Sequence, residues 1–184
     1  MVRINRVVTR GGDGGQTSLG DGSRVGKDTA RIEAIGAVDE ANCAIGVLRL
    51  HAAGEADAML ARIQNDLFDL GADLAVPGAA GAGLRLTDVP SARLEAEVAA
   101  MNAALSPLRS FVLPGGSPGA AAAHVARASA RRAERAVVLL AADEAVGAPV
   151  LRFLNRLSDH LFVLARTLNA AAGGDVMWVP GANR

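Results

Sequence analysis

The stretch His124–Leu140, HVARASARRAERAVVLL, constrains this chain more than any other. At 3.6 residues per turn, Ala126, Ala130, Ala133, Val137 and Leu140 fall on one stripe, at i, i+4, i+7, i+11 and i+14. The stripe is narrow and mostly alanine, so the helix it predicts packs closely against its neighbours. Beside it, Arg127, Arg131 and Arg135 succeed one another in steps of four, with Glu134 among them and Arg132 turned further round the rod. Like charges at that spacing repel. A solvated or subunit-facing surface accounts for them; so does an anion seated there, for which rigid, permanently charged guanidinium groups are well suited.

Composition narrows the classes. A chain of 184 residues, half of them hydrophobic, can bury one good-sized core. It is read as one domain, 1–184, made of a glycine-rich arm (1–28), a helical bundle (29–172) and a tail (173–184). Nineteen acidic residues balance nineteen basic ones, so no global field draws in nucleic acid or an anionic membrane. Without tyrosine and with one tryptophan, stacking platforms for single strands are lacking. The basic start MVRINRVVTR lacks the apolar run of a signal peptide, and no stretch of eighteen apolar residues follows. The lone Cys43 excludes an intramolecular disulfide and a cysteine-cluster metal site, and fits a reducing compartment. Cytoplasm is the expected location, with neither nucleic acid nor membrane as partner.

Further seams predict four more helices. Ile32, Ile35, Val38 and Ile45 share an arc of a helix over residues 31–50, and Asp39 and Asn42 fall inside it. A carboxylate there either reaches water at the helix rim or needs a partner. Leu60, Ile63, Leu67, Leu70 and Leu74 alternate in threes and fours, a bundle seam. Residues 76–83, VPGAAGAG, read as a loop; Asp88 or Ser91 with Pro90 starts the next helix, seamed by Leu94, Val98, Met101 and Leu105 and ended by Pro107. An apolar loop, Phe111–Pro118, precedes the central helix, which starts near Gly119. The last helix spans about 150–171, with Val150, Leu154, Leu157, Leu161, Leu164 and Leu168 as its seam and Asn155, Asp159 and Phe162 on a second face. Five such helices predict an all-α, antiparallel bundle with a glycine-rich arm. The histidines, His51, His124 and His160, lie on separate segments and show no metal-ligand spacing.

The arm, Gly11-Gly12-Asp13-Gly14-Gly15-Gln16-Thr17-Ser18, is either a flexible tail or a backbone whose amides approach an anion. Thr9, Thr17, Ser18 and Lys27 add hydroxyls and a cation. It is not a Walker A loop, because Asp28 follows Gly26-Lys27 and Asp21 stands where the first glycine belongs.

Four separated pieces match one pattern: Thr9–Thr17; Ser23–Asp28 continuing to Val38-Asp39-Glu40; Phe111–Gly116 through Arg131–Arg135; and Leu154–Asp159. In order and spacing the chain resembles a PduO-type ATP:cob(I)alamin adenosyltransferase from Thr9 to about Arg166. The resemblance implies a homotrimeric five-helix bundle holding ATP at each subunit boundary. Thr9, Arg10, Gly11, Gly12, Asp13, Gly15, Thr17, Ser18 and Lys27 would wrap the nucleotide from one subunit; Arg131, Arg132, Glu134, Arg135 and Asn155 would hold it from the next. Mg²⁺ would ride on the phosphates, with no metal site of the protein's own. Arg131 and Phe111 would be catalytic, Phe111 by displacing the lower axial ligand of cobalamin, and Asp39 would meet Arg127 across the interface. Thr29 departs from the family's usual acidic residue, and the tail around Trp178 has no sure counterpart. A flavin reductase and an adenosylcobalamin-dependent client enzyme are the further partners such an enzyme would meet. Two other classes stay open, an adenosylcobalamin carrier and an ATP-sensing bundle without turnover; Phe111 speaks against the sensor.

Overall fold

In a computed structural model, the chain is described over residues 7–78 and 83–184. The middle of the expected 76–83 loop and the first six residues lie outside that range. A two-stranded antiparallel hairpin, β1 (Gln16–Ser18) and β2 (Arg24–Gly26), precedes five helices: α1 (Ala30–Arg49), α2 (Glu55–Leu74), α3 (Val89–Asn102), α4 (Pro118–Asp143) and α5 (Ala148–Ala170).

The alanine stripe behaves as its spacing requires. Ala126, Ala130, Ala133, Val137 and Leu140 are all buried, and Ala120 and Ala123 extend the stripe toward the helix start. Ser117 caps that start by accepting a hydrogen bond from the Ala120 amide at 3.2 Å, with Pro118 at the first helical position. Small side chains let α4 sit between α1 and α5, its two main partners. The leucine seam of α2 is buried throughout, and that of α5 from Val150 to Leu164. In α3 only Ser91 and Leu94 are buried. This helix stops at Asn102, so Leu105 lies beyond it, and the expected seam reduces to an outer helix resting on the bundle.

Ion pairs between helices fix their directions. Arg31 at the start of α1 meets Glu144 just past the end of α4, and Glu40 further along α1 meets Arg132 at the middle of α4, so these helices are antiparallel. Asp66–Arg93 and Arg62–Glu97 set α3 antiparallel to α2. Asp88–Arg152, Glu95–Arg156 and Glu97–His160 rise together, which makes α3 and α5 parallel. The antiparallel bundle expected from the seams therefore has one exception, and it is unavoidable: helices closing a ring of five cannot all alternate.

Arg31 is a pin that the periodicity did not reveal. It is 3% exposed, donates from Nη1 to the Leu74 carbonyl at 2.6 Å, and pairs with Glu144 Oε2 at 2.6 Å. One guanidinium thus ties the start of α1 to the ends of α2 and α4. Because Glu144 is partly exposed, removing it strands the buried cation at a cost of about 2 to 3 kcal/mol, below the range for a wholly buried pair. Glu144→Ala should lower stability more than the double variant Arg31→Met with Glu144→Ala, as urea unfolding would measure. Equal losses would show that the pair contributes little.

Candidate functional site

The sequence-flagged residues gather in three groups, of which the second and third adjoin where Arg127 precedes Arg131 by one turn of α4. The first is the arm. The Lys27 amide donates to the Gly15 carbonyl at 2.9 Å, while Arg24 reaches back to the Gly11 carbonyl at 2.7 Å and the Ser18 hydroxyl at 3.3 Å. A Cβ on Gly12 would stand 2.9 Å from Lys27 Nζ. The ammonium thus lies close against the loop backbone, and a Cβ there would displace the flexible end of that side chain. Arg10 has φ +61, the one positive φ of a non-glycine residue among the described residues. That left-handed backbone is uncommon for a residue with a Cβ. The amide of Gly20 donates to the Ala75 carbonyl at 2.7 Å and anchors the hairpin to the end of α2. Arg24, absent from the sequence-level candidates, is the side chain that shapes this loop.

The second group lies on α4 and α5. Arg131 and Arg135 are exposed, and Arg135 Nη1 donates to the Arg131 carbonyl at 3.2 Å. Asn155 on α5 donates to Glu134 Oε1 at 3.0 Å. Arg156 in turn donates to Asn155 Oδ1 at 2.9 Å. Arg132 differs from the expectation of an unrelieved cation: it pairs with Glu33 at 2.9 Å and also with Glu40, both on α1. Its charge is spent on packing α4 against α1, which leaves Arg131 and Arg135 as the open cations of this face.

The third group surrounds a cleft of about 580 Å³ lined by Leu108, Ser110, Phe111, Val112, His124, Arg127 and Phe162. Phe111 is 77% exposed there, so it is not core. The Trp178 ring stands 6.0 Å from it, and the Trp178 amide donates to the Phe111 carbonyl at 2.8 Å. The tail therefore has structure that its lack of period concealed: residues 112 and 177 form an antiparallel bridge. At the floor, His124 is buried with both ring nitrogens unpartnered, 6.3 Å from the Phe162 ring. Arg127 has an unpartnered buried Nε, and burial followed by the Arg131 charge holds its pKa below the ordinary guanidinium value.

Asp39 is elsewhere. It stands at the rim of an apolar groove of about 520 Å³ between α1 and α2, with Ile32, Ile35, Leu67, Phe68 and Ala72 among the lining. In the protomer it is exposed rather than desolvated, because the groove beside it is open. Asn42, one turn on, is the buried polar residue: it and Gln64 exchange side chain-to-carbonyl hydrogen bonds, both 3.2 Å. Among the described residues, Asp39 and Arg127 make no ion pair with each other within the protomer. Phe68 in the same groove is 72% exposed.

Burial first, then the Arg127 charge, pushes the His124 pKa below 6.5, with Asp175 opposing. On unfolding the ring recovers its ordinary value, so below pH 6.5 the unfolded chain takes up a proton that the folded chain refuses. The contribution is complete above that pH and is lost as pH falls toward the folded value. Calorimetry from about pH 7.5 to about 5 should show a smaller drop in Tm for His124→Leu than for the natural chain; identical slopes would assign the acid sensitivity to other groups.

A family model described as cobalamin adenosyltransferase matches residues 7–168. The chain is 52% identical over 180 residues to a cobalamin adenosyltransferase of Cupriavidus metallidurans, covering 96% of this chain and 95% of that one. It is 47% identical over 190 residues to a corrinoid adenosyltransferase of Mycobacterium tuberculosis, covering 100% and 97%. Among solved structures, a variant PduO-type ATP:corrinoid adenosyltransferase from Lactobacillus reuteri, complexed with cobalamin and ATP, superposes with a TM-score of 0.89 at 33% identity, over 95% of this chain and 97% of that one.

Proposed function

The chain belongs to the cobalamin adenosyltransferase family, and from that premise we infer that it transfers the 5′-deoxyadenosyl group of ATP to the cobalt of reduced cobalamin, releasing triphosphate. The observation that carries the assignment to particular residues is the exposed Phe111 over an apolar cleft floored by unpartnered His124 and Arg127. An extended macrocycle with an apolar face and polar edges suits such a cleft, whereas a protein that only sensed ATP would have no use for it.

Chemically, the electron pair of Co(I) attacks the 5′ carbon of ATP. A cobalt–carbon bond forms, the carbon–oxygen bond breaks, and triphosphate departs with its electron pair. No proton has to be removed, so the protein contributes orientation, exclusion of water and stabilisation of the leaving group. The arm, with Thr9 to Asp13, Gly15, Thr17, Ser18 and Lys27, is the part assigned to wrapping the nucleotide. Arg131 and Arg135, with Asn155 and Glu134 holding each other in place, receive the triphosphate. Mg²⁺ fits this set as an ion carried on phosphate oxygens, with Glu134 the carboxylate at hand. Phe111 presses on the lower face of the corrinoid, where displacement of the axial ligand makes Co(II) easier to reduce.

Following the family resemblance, we assign a homotrimer in which the arm of one subunit and the arginine face of the next act on one nucleotide. Supporting this, the open groove with Phe68 and Asp39 is the kind of apolar surface that a second copy covers, and among the described residues of the protomer Arg127 has no ion-pair partner. Asp39 then pairs with Arg127 of the next subunit. The cytoplasm, where an exposed free Cys43 persists, is the assigned compartment; a flavin reductase supplies electrons and a client enzyme takes the product.

Anaerobic incubation with ATP, Mg²⁺ and chemically reduced cobalamin should yield the spectrum of the adenosylated product. Folded protein that gives none would point to the ATP sensor, and a single stoichiometric burst to the carrier. Arg131→Ala should keep the fold and lose a charge-assisted phosphate contact of about 1.5 to 3 kcal/mol, read as weaker ATP binding in calorimetry and slower turnover. Unchanged values would make this face merely solvated. Asp39→Arg and Arg127→Asp should each weaken the trimer in sedimentation, and together restore it better than either alone. Singly substituted trimers with no coupling would defeat the interface.

A further inference from the structure

The tail after α5 is nearly all exposed, yet one of its side chains is drawn inward. Asp175 Oδ2 accepts from Arg166 Nε at 2.9 Å, and the two side chains are only 12% and 8% exposed. Its other oxygen, Oδ1, lies 3.3 Å from Asn169 Nδ2, and Asn169 is 1% exposed. These partners hold the loop ahead of α4 at the same time. Arg166 Nη2 donates to the Ser106 carbonyl at 2.7 Å, Asn169 Nδ2 donates to the Gly115 carbonyl at 3.1 Å, and Asn169 Oδ1 accepts from the Ser117 amide at 2.9 Å. Gly116, at φ +101, turns the chain so closely against Asn169 that a Cβ there would collide with it. Both ends of the 106–117 loop are therefore fastened to α5 through side chains that also fasten Asp175.

From that anchor the tail runs back along the middle of the loop. The Leu113 amide donates to the Val176 carbonyl and the Trp178 amide to the Phe111 carbonyl, each at 2.8 Å. The Ser110 hydroxyl donates to the Trp178 carbonyl at 2.7 Å. Phe111 has few side-chain contacts to hold it, being exposed and facing the Trp178 ring. Its backbone is held by the tail, and the tail by Asp175.

We propose that Asp175 is a positioning residue for the corrinoid step: paired with Arg166 and Asn169, it latches the tail against the 110–113 loop and so fixes Phe111 in the cleft. The proposal rests on the assignment of Phe111 to the corrinoid face. Without Asp175, Arg166 and Asn169 would remain buried and the Gly174 amide would still donate to the Asn169 carbonyl at 2.8 Å, but the ion pair that draws the following residues inward would be gone, so the Trp178 clamp loosens. Displacing an aromatic by an ångström at a reacting centre costs of the order of a hundredfold in rate.

Asp175→Ala and Asp175→Asn should leave ATP affinity and the Michaelis constant for ATP unchanged. Turnover starting from Co(II)alamin should fall about tenfold or more, together with the four-coordinate Co(II) signal in electron paramagnetic resonance. Trp178, the one tryptophan, reports the latch directly, and acrylamide should quench it more readily in both variants. Ser110→Ala, which loses a single exposed hydrogen bond and cannot unfold the bundle, should move the same readouts in the same direction by less; it decides the matter if the Asp175 variants misfold. Natural quenching, turnover and cobalt signal in folded variants would overturn the latch. If the natural chain made no adenosylated product, the functional assignment would fail, and Trp178 quenching alone would then judge the latch.

Discussion

Everything else in this molecule depends on how closely α4 can approach its neighbours. Seven buried positions on one side of that helix are alanine, valine or leucine, with alanine from Ala120 to Ala133. So narrow a stripe lets α1 and α5 close on α4 from both sides and leaves the rest of its circumference facing outward. The outward arc carries the arginines, which could not be desolvated singly without large cost. Close packing and an exposed cationic face are thus two results of one residue pattern. The helix start does a third thing: its Ser117 cap and the Gly116 turn deliver the Phe111 loop to one end of the bundle, beside His124 and Arg127.

The seams were legible because burial repeats with the helix. The α4 stripe, the α2 leucines and the α5 seam from Val150 to Leu164 followed from periodicity, whereas of the α3 seam only Leu94 is buried. Isolated contacts between distant segments carry no period, and these were missed. Arg31 sits among apolar residues of α1 without any mark of the Glu144 and Leu74 carbonyl that satisfy it. Arg132 was grouped with the open cations because its partners, Glu33 and Glu40, are about a hundred residues away in the chain. The tail from Asp175 to Trp178 looked featureless since one ion pair and three backbone or hydroxyl hydrogen bonds, rather than a buried face, give it its place. For Asp39 the sequence left two readings open, and the protomer shows the rim: its arc faces an apolar groove, but the groove is open and the carboxylate is exposed.

For the site, residue chemistry told more than residue order. Glycines, threonines and Lys27 suggested an anion-binding arm, and the structure orders that stretch as a loop and hairpin with Arg10 at positive φ. The residues proposed for the nucleotide are spread over several elements of the protomer. The arm is anchored to α2, the open arginines and Asn155 lie on α4 and α5, and Asp39 and Arg127 line different clefts. In the proposed trimer each surface holds part of a set whose complement a symmetric neighbour carries.

That division can be measured by mixing two defective proteins. Lys27→Ala spoils the arm and leaves the arginine face whole; Arg131→Ala does the opposite. Each alone should be nearly inactive. When the two are dissociated, mixed in equal amounts and reassembled, about a quarter of the subunit boundaries should join a whole arm to a whole arginine face, and that share of natural adenosyltransferase activity should return. A mixture as inactive as its components, despite proven exchange of subunits, would show that each site is built within one subunit and contradict the account.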